Sequence, residues 1–182
     1  MSGTLELYTF KVTCKYKTKI WRRIEIPGEQ TLGDFDIIIR EAFEYDKWDH
    51  LSEFFPGRAW ACRGFGEIEP GGKSRGTKKK IEEIQLVKGD IIEYIYDFGD
   101  DLGHKIKLEK ISVVEKSEDW PRVIGRNKPK YQFCEECMKE DRKTVATWIC
   151  LECSDKEQRD VLLCEDCLMK KHEEHYAEKI LY

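Results

Sequence analysis

The residues best suited to chemistry in this chain are six cysteines and two histidines near its C-terminal end. They follow the pattern C-x2-C-x12-C-x2-C-x10-C-x2-C-x4-H-x2-H, which comprises Cys134, Cys137, Cys150, Cys153, Cys164, Cys167, His172 and His175. A Cys-x-x-Cys turn offers two thiolates to one ion, and zinc takes four sulfur or nitrogen ligands in a tetrahedron. Eight ligands therefore predict two structural Zn²⁺ sites, neither of which keeps an open position for a catalytic water.

Two other interpretations of these cysteines are a disulfide framework and an iron–sulfur site. The first residues have neither the basic segment nor the apolar run of a secretion signal, so we expect a cytoplasmic protein, in which disulfides are rare. The paired histidines and the regular cysteine pairs favour zinc. The spacing leaves open which ligand pairs share an ion. Either neighbouring pairs along the chain do so, or the first pair does so with the third and the second with the fourth.

The cysteine-rich tail resembles the cross-brace zinc fingers of the ZZ and B-box kind. This resemblance implies that the first cysteine pair shares an ion with the third pair, and that the second cysteine pair shares an ion with the two histidines. Such fingers usually grip a segment of another protein, so the resemblance also implies a protein partner.

Length and composition favour two folded parts. The chain has 182 residues, of which 40% are hydrophobic and 37% charged, enough to build a core and therefore to exclude disorder throughout. Its longest apolar runs are too short to span a membrane. The segment 121–130 contains two prolines and a glycine and predicts an extended connector. We therefore expect one domain over residues 1–125 and a zinc-binding domain over residues 131–182.

The N-terminal part carries the periodicities of an α+β domain. Alternating apolar residues predict one strand from Tyr8 to Cys14 and a second from Ile20 to Ile26. Thr31 and Asp34 have the spacing of a capping box for a helix.

Farther along, alternation over 91–98 predicts a strand, and the strand 104–114 changes phase near Glu109–Lys110, which predicts a β-bulge. The two remaining cysteines, Cys14 and Cys62, are expected to be small buried hydrophobes. The predicted fold class is α+β, a mixed sheet with one or two packed helices, followed by a small binuclear zinc-binding domain.

One hairpin resembles the hallmark segment of a known family. The residues from Tyr94 to His104, which continue to Ile111, resemble the plasmid pRiA4b ORF-3-like family, as do Trp21–Ile24 and the His50-Leu51 pair. The resemblance covers residues 5–120 and implies a small α+β domain, found alone or fused to other modules, with no established reaction. Ser52 stands where the family often has a second histidine, so a role that needs that histidine is not expected.

The same hairpin holds a possible ligand loop. Asp97, Asp100, Asp101 and His104, joined by His50, are the types of residue that bind a cation or assist hydrolysis. Aspartate and glycine are also ordinary turn residues whose side chains bond the loop backbone, and we favour that interpretation.

The leading hypothesis for function is a non-enzymatic zinc-binding protein that acts as a protein-interaction module or adaptor. The alternative is a nucleic-acid-binding accessory protein of a plasmid or insertion element, which would use the basic segments 73–80 and 122–130. We predict that the first of these lies in a mobile, solvated loop over residues 70–80. The net charge of −4, with 8 basic against 13 acidic residues in 131–182, disfavours nucleic acid.

Overall fold

A computed structural model of the chain describes residues 3–116 and 119–182. The chain separates between Asn127 and Lys128 into two compact units, which we call unit 1 and unit 2. Within the described residues, no helix combines the length and the apolar character that a membrane crossing requires.

Unit 1 is built on one seven-stranded sheet. Its strands are β1 (Thr4–Cys14), β2 (Trp21–Pro27), β3 (Ser52–Phe55), β4 (Glu67–Ile68), β5 (Ile91–Tyr96), β6 (Leu102–Glu115) and β7 (Arg122–Arg126). They lie in the order β4-β3-β5-β6-β1-β2-β7. The helices are α1 (Leu32–Ala42) and the single turn α2 (Arg75–Lys78), followed by a 3₁₀ turn over Glu82–Ile84.

The α+β class is confirmed, and the pairings refine the mixed sheet that the sequence predicts. Each pairing between neighbouring strands of this sheet is antiparallel. Short turns join β1 to β2 and β5 to β6, and a turn of this length can connect only antiparallel neighbours.

The predicted alternation and bulge of the central strands are confirmed. Tyr8, Phe10 and Val12 of β1 are all buried. Thr9 pairs with Lys110 whereas Phe10 pairs with Leu108, so Glu109 is the extra residue of a bulge in β6. The bulge moves the later apolar residues of β6 to the opposite phase.

Helix α1 begins at the predicted capping box. The Thr31 hydroxyl accepts a hydrogen bond from the Asp34 N–H, and the Asp34 carboxylate accepts one from the Thr31 N–H. The helix packs on the sheet through Phe35, whose ring centroid lies 4.9 Å from that of Phe10 and 5.4 Å from that of Phe54. These aromatic contacts form the centre of the core of unit 1.

Two segments differ from their predicted structures. Residues 70–80 contain helix α2, because Ser74 caps it and Thr77 packs against Gly33 of α1. The predicted connector contributes β7, which extends the sheet edge beside β2. Asn127 directly follows this strand and ties it to β2, since its Oδ1 accepts hydrogen bonds from Trp21 N and Arg22 Nη1.

A buried ion pair that the sequence analysis missed joins α1 to the sheet. Arg40 Nε lies 2.8 Å from Asp36 Oδ2, and both side chains are almost completely buried. Ser52 and Tyr94 donate hydrogen bonds to Asp36 Oδ1 at 2.5 and 2.6 Å. The Arg40 guanidinium also donates to the carbonyl of Asp49, so the pair holds the loop before β3.

Unit 2 contains three short helices and a three-stranded sheet. The helices are α3 (Glu135–Lys139), α4 (Leu151–Glu157) and α5 (Glu165–Lys171), and the strands are β8 (Trp148–Cys150), β9 (Leu162–Leu163) and β10 (Ala177–Lys179). Strand β8 lies between β10 and β9 and is antiparallel to both.

Candidate metal centres

Each Cys-x-x-Cys pair in unit 2 lies at the start of a helix. Cys134, Cys150 and Cys164 are the N-cap residues of α3, α4 and α5, and the second cysteine of each pair lies in the first helical turn. The turn of the helix brings both sulfurs to the same side of the backbone. This local geometry explains why two residues separate the cysteines of every pair.

The first candidate centre consists of the four buried cysteines Cys134, Cys137, Cys164 and Cys167. Their sulfur atoms all lie within 4.8 Å of one another. Cys137 Sγ is 3.7 Å from Cys164 Sγ and 3.6 Å from Cys167 Sγ. In a tetrahedron with Zn–S bonds of about 2.3 Å, the sulfurs are separated by about 3.8 Å. The arrangement therefore fits a tetrahedral metal ion of this size.

The second candidate centre consists of Cys150, Cys153, His172 and His175. The four distances between sulfur and Nδ1 atoms range from 3.3 to 3.8 Å, and the two Nδ1 atoms are 3.3 Å apart. Zn–S and Zn–N bonds of about 2.3 and 2.05 Å give separations of about 3.6 Å for S to N and about 3.3 Å for N to N. Both histidines would therefore bind the ion through Nδ1.

The ligand groups have the cross-brace arrangement. The first cysteine pair meets the third pair, and the second pair meets the histidines, so the sequential arrangement is not the one that the structure shows. All eight cysteines are free, and the sulfur separations in the first centre far exceed the bond length of about 2.05 Å in a disulfide.

The electrostatics of the first centre suit a bound cation. Burial opposes ionisation of Cys134, but backbone hydrogen bonds at Cys137 and Cys164 outweigh it and lower the Cys134 pKa to about 7. Burial raises the pKa of Cys164 and of Cys167. Several buried thiols so close together do not ionise readily by themselves, whereas a dication stabilises the thiolate form.

One imidazole of the second centre, that of His172, is held in the form that metals bind. Burial, reinforced by the neighbouring His175, lowers the pKa of His172. A lowered pKa keeps the ring neutral, with a free nitrogen lone pair.

Side chains around the ligands, which the sequence analysis did not identify, hold the ligand-bearing elements in place. The Ser154 hydroxyl donates to the carbonyl of Cys150 and accepts from the N–H of Val161. The Glu135 carboxylate forms an ion pair with Arg159 at 2.7 Å and accepts from the N–H of Leu162. Such contacts fix the orientation of metal-binding loops.

The structure does not bring the side chains of the possible ligand loop of unit 1 together in one group of metal ligands among the described residues. His50 Nδ1 lies 3.2 Å from Asp97 Oδ2, whereas Asp101 accepts a hydrogen bond from the Trp60 indole. Asp97 also accepts from the N–H of Gly99, as expected of a turn residue, and Asp100 is exposed. Among the described residues, the His, Cys, Asp and Glu groups able to hold a metal are the two in unit 2.

His104 lies in the core of unit 1. Its side chain is 1% exposed, and Nε2 is 3.1 Å from the Tyr45 hydroxyl. Burial lowers the His104 pKa to about 4, so the ring is neutral at pH 7. The ring of Phe43 meets it edge-on at 4.7 Å, which makes His104 a packing residue.

Comparison with known proteins places the chain in a family. The model of the plasmid pRiA4b ORF-3-like protein family matches residues 6–144. The chain belongs to the plasmid pRiA4b ORF-3-like family. The resemblance predicted from the hairpin at residues 94–104 is therefore confirmed. No curated protein matches this chain.

A solved structure is similar to this pRiA4b ORF-3-like chain. It is the crystal structure of a protein of unknown function from Methanosarcina mazei Go1, with 26% sequence identity and a TM-score of 0.54. The similarity covers 67% of this chain and 70% of that one. The matched family region includes Cys134 and Cys137, and the other six ligands lie beyond it.

Proposed function

We propose that this pRiA4b ORF-3-like protein is a zinc-stabilised module that binds another protein through unit 2. The observation that carries the proposal is the presence of two closed groups of four ligands. Thiolate and imidazole ligands in a tetrahedron suit Zn²⁺. Because each ion has four protein ligands, no position remains for a reacting water, and the role of the zinc is structural.

The surface of α5 supports a binding role. Glu165 and Asp166 are exposed in its first turn, and Met169 is 57% exposed one turn later. Among the described residues, neither acidic side chain forms an ion pair. Methionine adapts its shape to varied partners, and the acidic groups favour a basic one. A segment of a partner protein that carries Lys or Arg beside an apolar residue fits this surface, which we call the α5 face.

Metal content tests the structural part of the proposal. Native mass spectrometry of the purified chain should show two zinc ions, and Cys137→Ser should lose the ion of the first centre. Cys62→Ser is the matched control, because the structure places Cys62 on the surface, contrary to the buried position that the sequence analysis predicted. A wild-type chain with fewer than two ions, or equal loss in both variants, would contradict the proposal.

A peptide titration tests the binding part. Fluorescence anisotropy with a panel of labelled peptides should select basic sequences over acidic ones, and Glu165→Lys with Asp166→Lys should abolish that selection. Asp155→Lys is the control, because Asp155 is exposed on α4, outside the α5 face. If Asp155→Lys reduced the selection as much as the double variant does, the attraction would be nonspecific, and the α5 face would not be a docking site.

The nucleic-acid alternative depends on the basic segments 73–80 and 122–130. Part of their positive charge is neutralised by ion pairs within the chain, since Arg122 pairs with Glu25 and Lys80 with Glu82. A zinc bound by four thiolates adds a charge of about −2 to the acidic unit 2. We expect no tight binding of duplex DNA at about 150 mM salt. Sub-micromolar binding that weakens in Lys78→Ala and Lys79→Ala variants would favour this alternative.

A further inference from the structure

A small cleft in unit 1 concentrates positive charge near the edge of the sheet. It has a volume of 260 Å³ and is lined by Glu53, Arg63, Gly64, Phe65, Gly66, Arg75 and Lys79. Glu53 belongs to β3, Arg75 begins α2 and Lys79 follows that helix. Three separate segments, at residue 53, residues 63–66 and residues 75–79, therefore supply three cations and one carboxylate to a single cavity.

The three cations are available to a ligand. No ion pair within residues 3–116 and 119–182 engages the side chains of Arg63, Arg75 or Lys79. Lys79 Nζ lies 5.9 Å from the centroid of the Phe65 ring, which forms an apolar wall beside the charge. The net charge of the lining is +2, although the whole chain is negative. Unneutralised cations in a concave site attract an anion strongly.

Two glycines hold the walls of the cleft together. A Cβ on Gly76 would lie 1.9 Å from the carbonyl oxygen of Gly66, so α2 approaches the 64–66 loop more closely than any side chain would allow. The Gly66 N–H donates to Glu53 Oε1 at 3.0 Å, which fixes the carboxylate. The backbone of Lys79 is fixed as well, because its carbonyl accepts from the N–H of Leu32. The backbone walls and the Glu53 carboxylate of the cleft are thus preformed, and the exposed side chains of Arg63 and Arg75 lie at its rim.

We infer that this cleft binds a small phosphate ester. The planar guanidinium groups of Arg63 and Arg75 match the paired oxygens of a phosphate, and Lys79 adds a third donor. Glu53 can accept a hydrogen bond from a hydroxyl of the ester, and Phe65 can contact its carbon atoms. The volume lies just below the usual range of about 300–1,000 Å³ for ligand pockets, so a phosphate with a few carbon atoms fits better than a polymer.

Isothermal titration calorimetry of the zinc-loaded full chain tests this inference. Inorganic phosphate and glycerol 3-phosphate are titrated at constant ionic strength, and the ester should bind at least as tightly as inorganic phosphate. Arg75→Gln should weaken phosphate binding about tenfold, because it removes hydrogen bonds to a charged group. Lys73→Gln is the matched control, an exposed residue of the same segment outside the cleft, and should change affinity less than about twofold.

A further variant is expected to change the phosphate affinity in the opposite direction. Glu53→Gln keeps the acceptor for Gly66 but removes the negative charge, so it should strengthen binding of inorganic phosphate about threefold or more. If Arg75→Gln reduces the thermal stability, Lys79→Gln replaces it and should also weaken binding.

Three results would overturn the inference. The first is the absence of saturable binding of either phosphate. The second is equal weakening by Lys73→Gln and Arg75→Gln, which would indicate general surface charge. The third is binding of a single-stranded oligonucleotide more tightly than of the ester, regardless of a 5′-phosphate and with dependence on Arg75, which would indicate a polyanion groove.

Discussion

Removal of the metal is expected to unfold unit 2 and leave unit 1 folded. The perturbation is a high-affinity chelator added to the zinc-loaded full chain. The reason is that the metal ligands are also the core of unit 2. Five of the eight buried residues in its hydrophobic cluster are cysteines of the two centres, and the other three are Val161, Leu163 and Leu168.

The expected magnitude follows from this composition. Burial of three aliphatic side chains contributes about 1.5–3 kcal/mol each. A structural zinc site contributes about 10–16 kcal/mol of apparent binding free energy, which is also folding free energy when no site exists in the unfolded chain. The two zinc sites together contribute more folding free energy than the burial of the three aliphatic side chains, so we expect unit 2 without metal to be unfolded. Unit 1 owes its core to the residues around Phe10, Phe35 and Phe54, none of which needs metal.

Hydrogen–deuterium exchange with mass spectrometry gives the local readout. After chelation, peptides from residues 131–182 should exchange within seconds, while peptides from β1 and β6 should keep their protection. Restored protection after addition of zinc provides the control for irreversible damage. Loss of protection in β1 and β6 together with unit 2, or retained protection in unit 2, would refute the reasoning.

Three further predictions concern unit 1, each measured by urea unfolding of the chelator-treated full chain. Asp36→Ala should destabilise it by about 3–5 kcal/mol, because it leaves the buried charge of Arg40 without its partner, and a loss below about 1 kcal/mol would contradict the ion-pair interpretation. Gly76→Ala should cost about 1–3 kcal/mol, because the new Cβ meets the Gly66 carbonyl, and an unchanged midpoint would contradict this. Burial lowers the His104 pKa from 6.5 to about 4, so the folded state binds fewer protons than the unfolded state between these values. Stability should therefore fall by about 2 kcal/mol from pH 7 to pH 5, and His104→Gln should remove most of this dependence.

The elements of unit 1 that local patterns specify could be predicted from the sequence. The alternation in β1, the capping box at Thr31 and the phase change at Glu109 are local properties of the chain, and each has the predicted structure. Within segment 70–80, the helical turn Arg75–Lys78 could not be predicted, because the composition of the segment is that of a loop. Helix α2 depends on packing against α1, which no local pattern encodes.

The sequence by itself determined the ligand types of unit 2, because the Cys-x-x-Cys spacing is a property of one helical turn. Only the tertiary structure decided which pairs meet, since the spacing allows both pairing schemes and the strands β8 and β9 bring the elements together. The same holds for His104, which the sequence places at a possible ligand loop and which is a neutral core residue in the fold. Arg63 and Lys79 carry no motif, and the cleft that they share arises from the close approach of two backbones at Gly66 and Gly76. Contacts between residues distant in sequence depend on packing, and packing is decided by the whole chain.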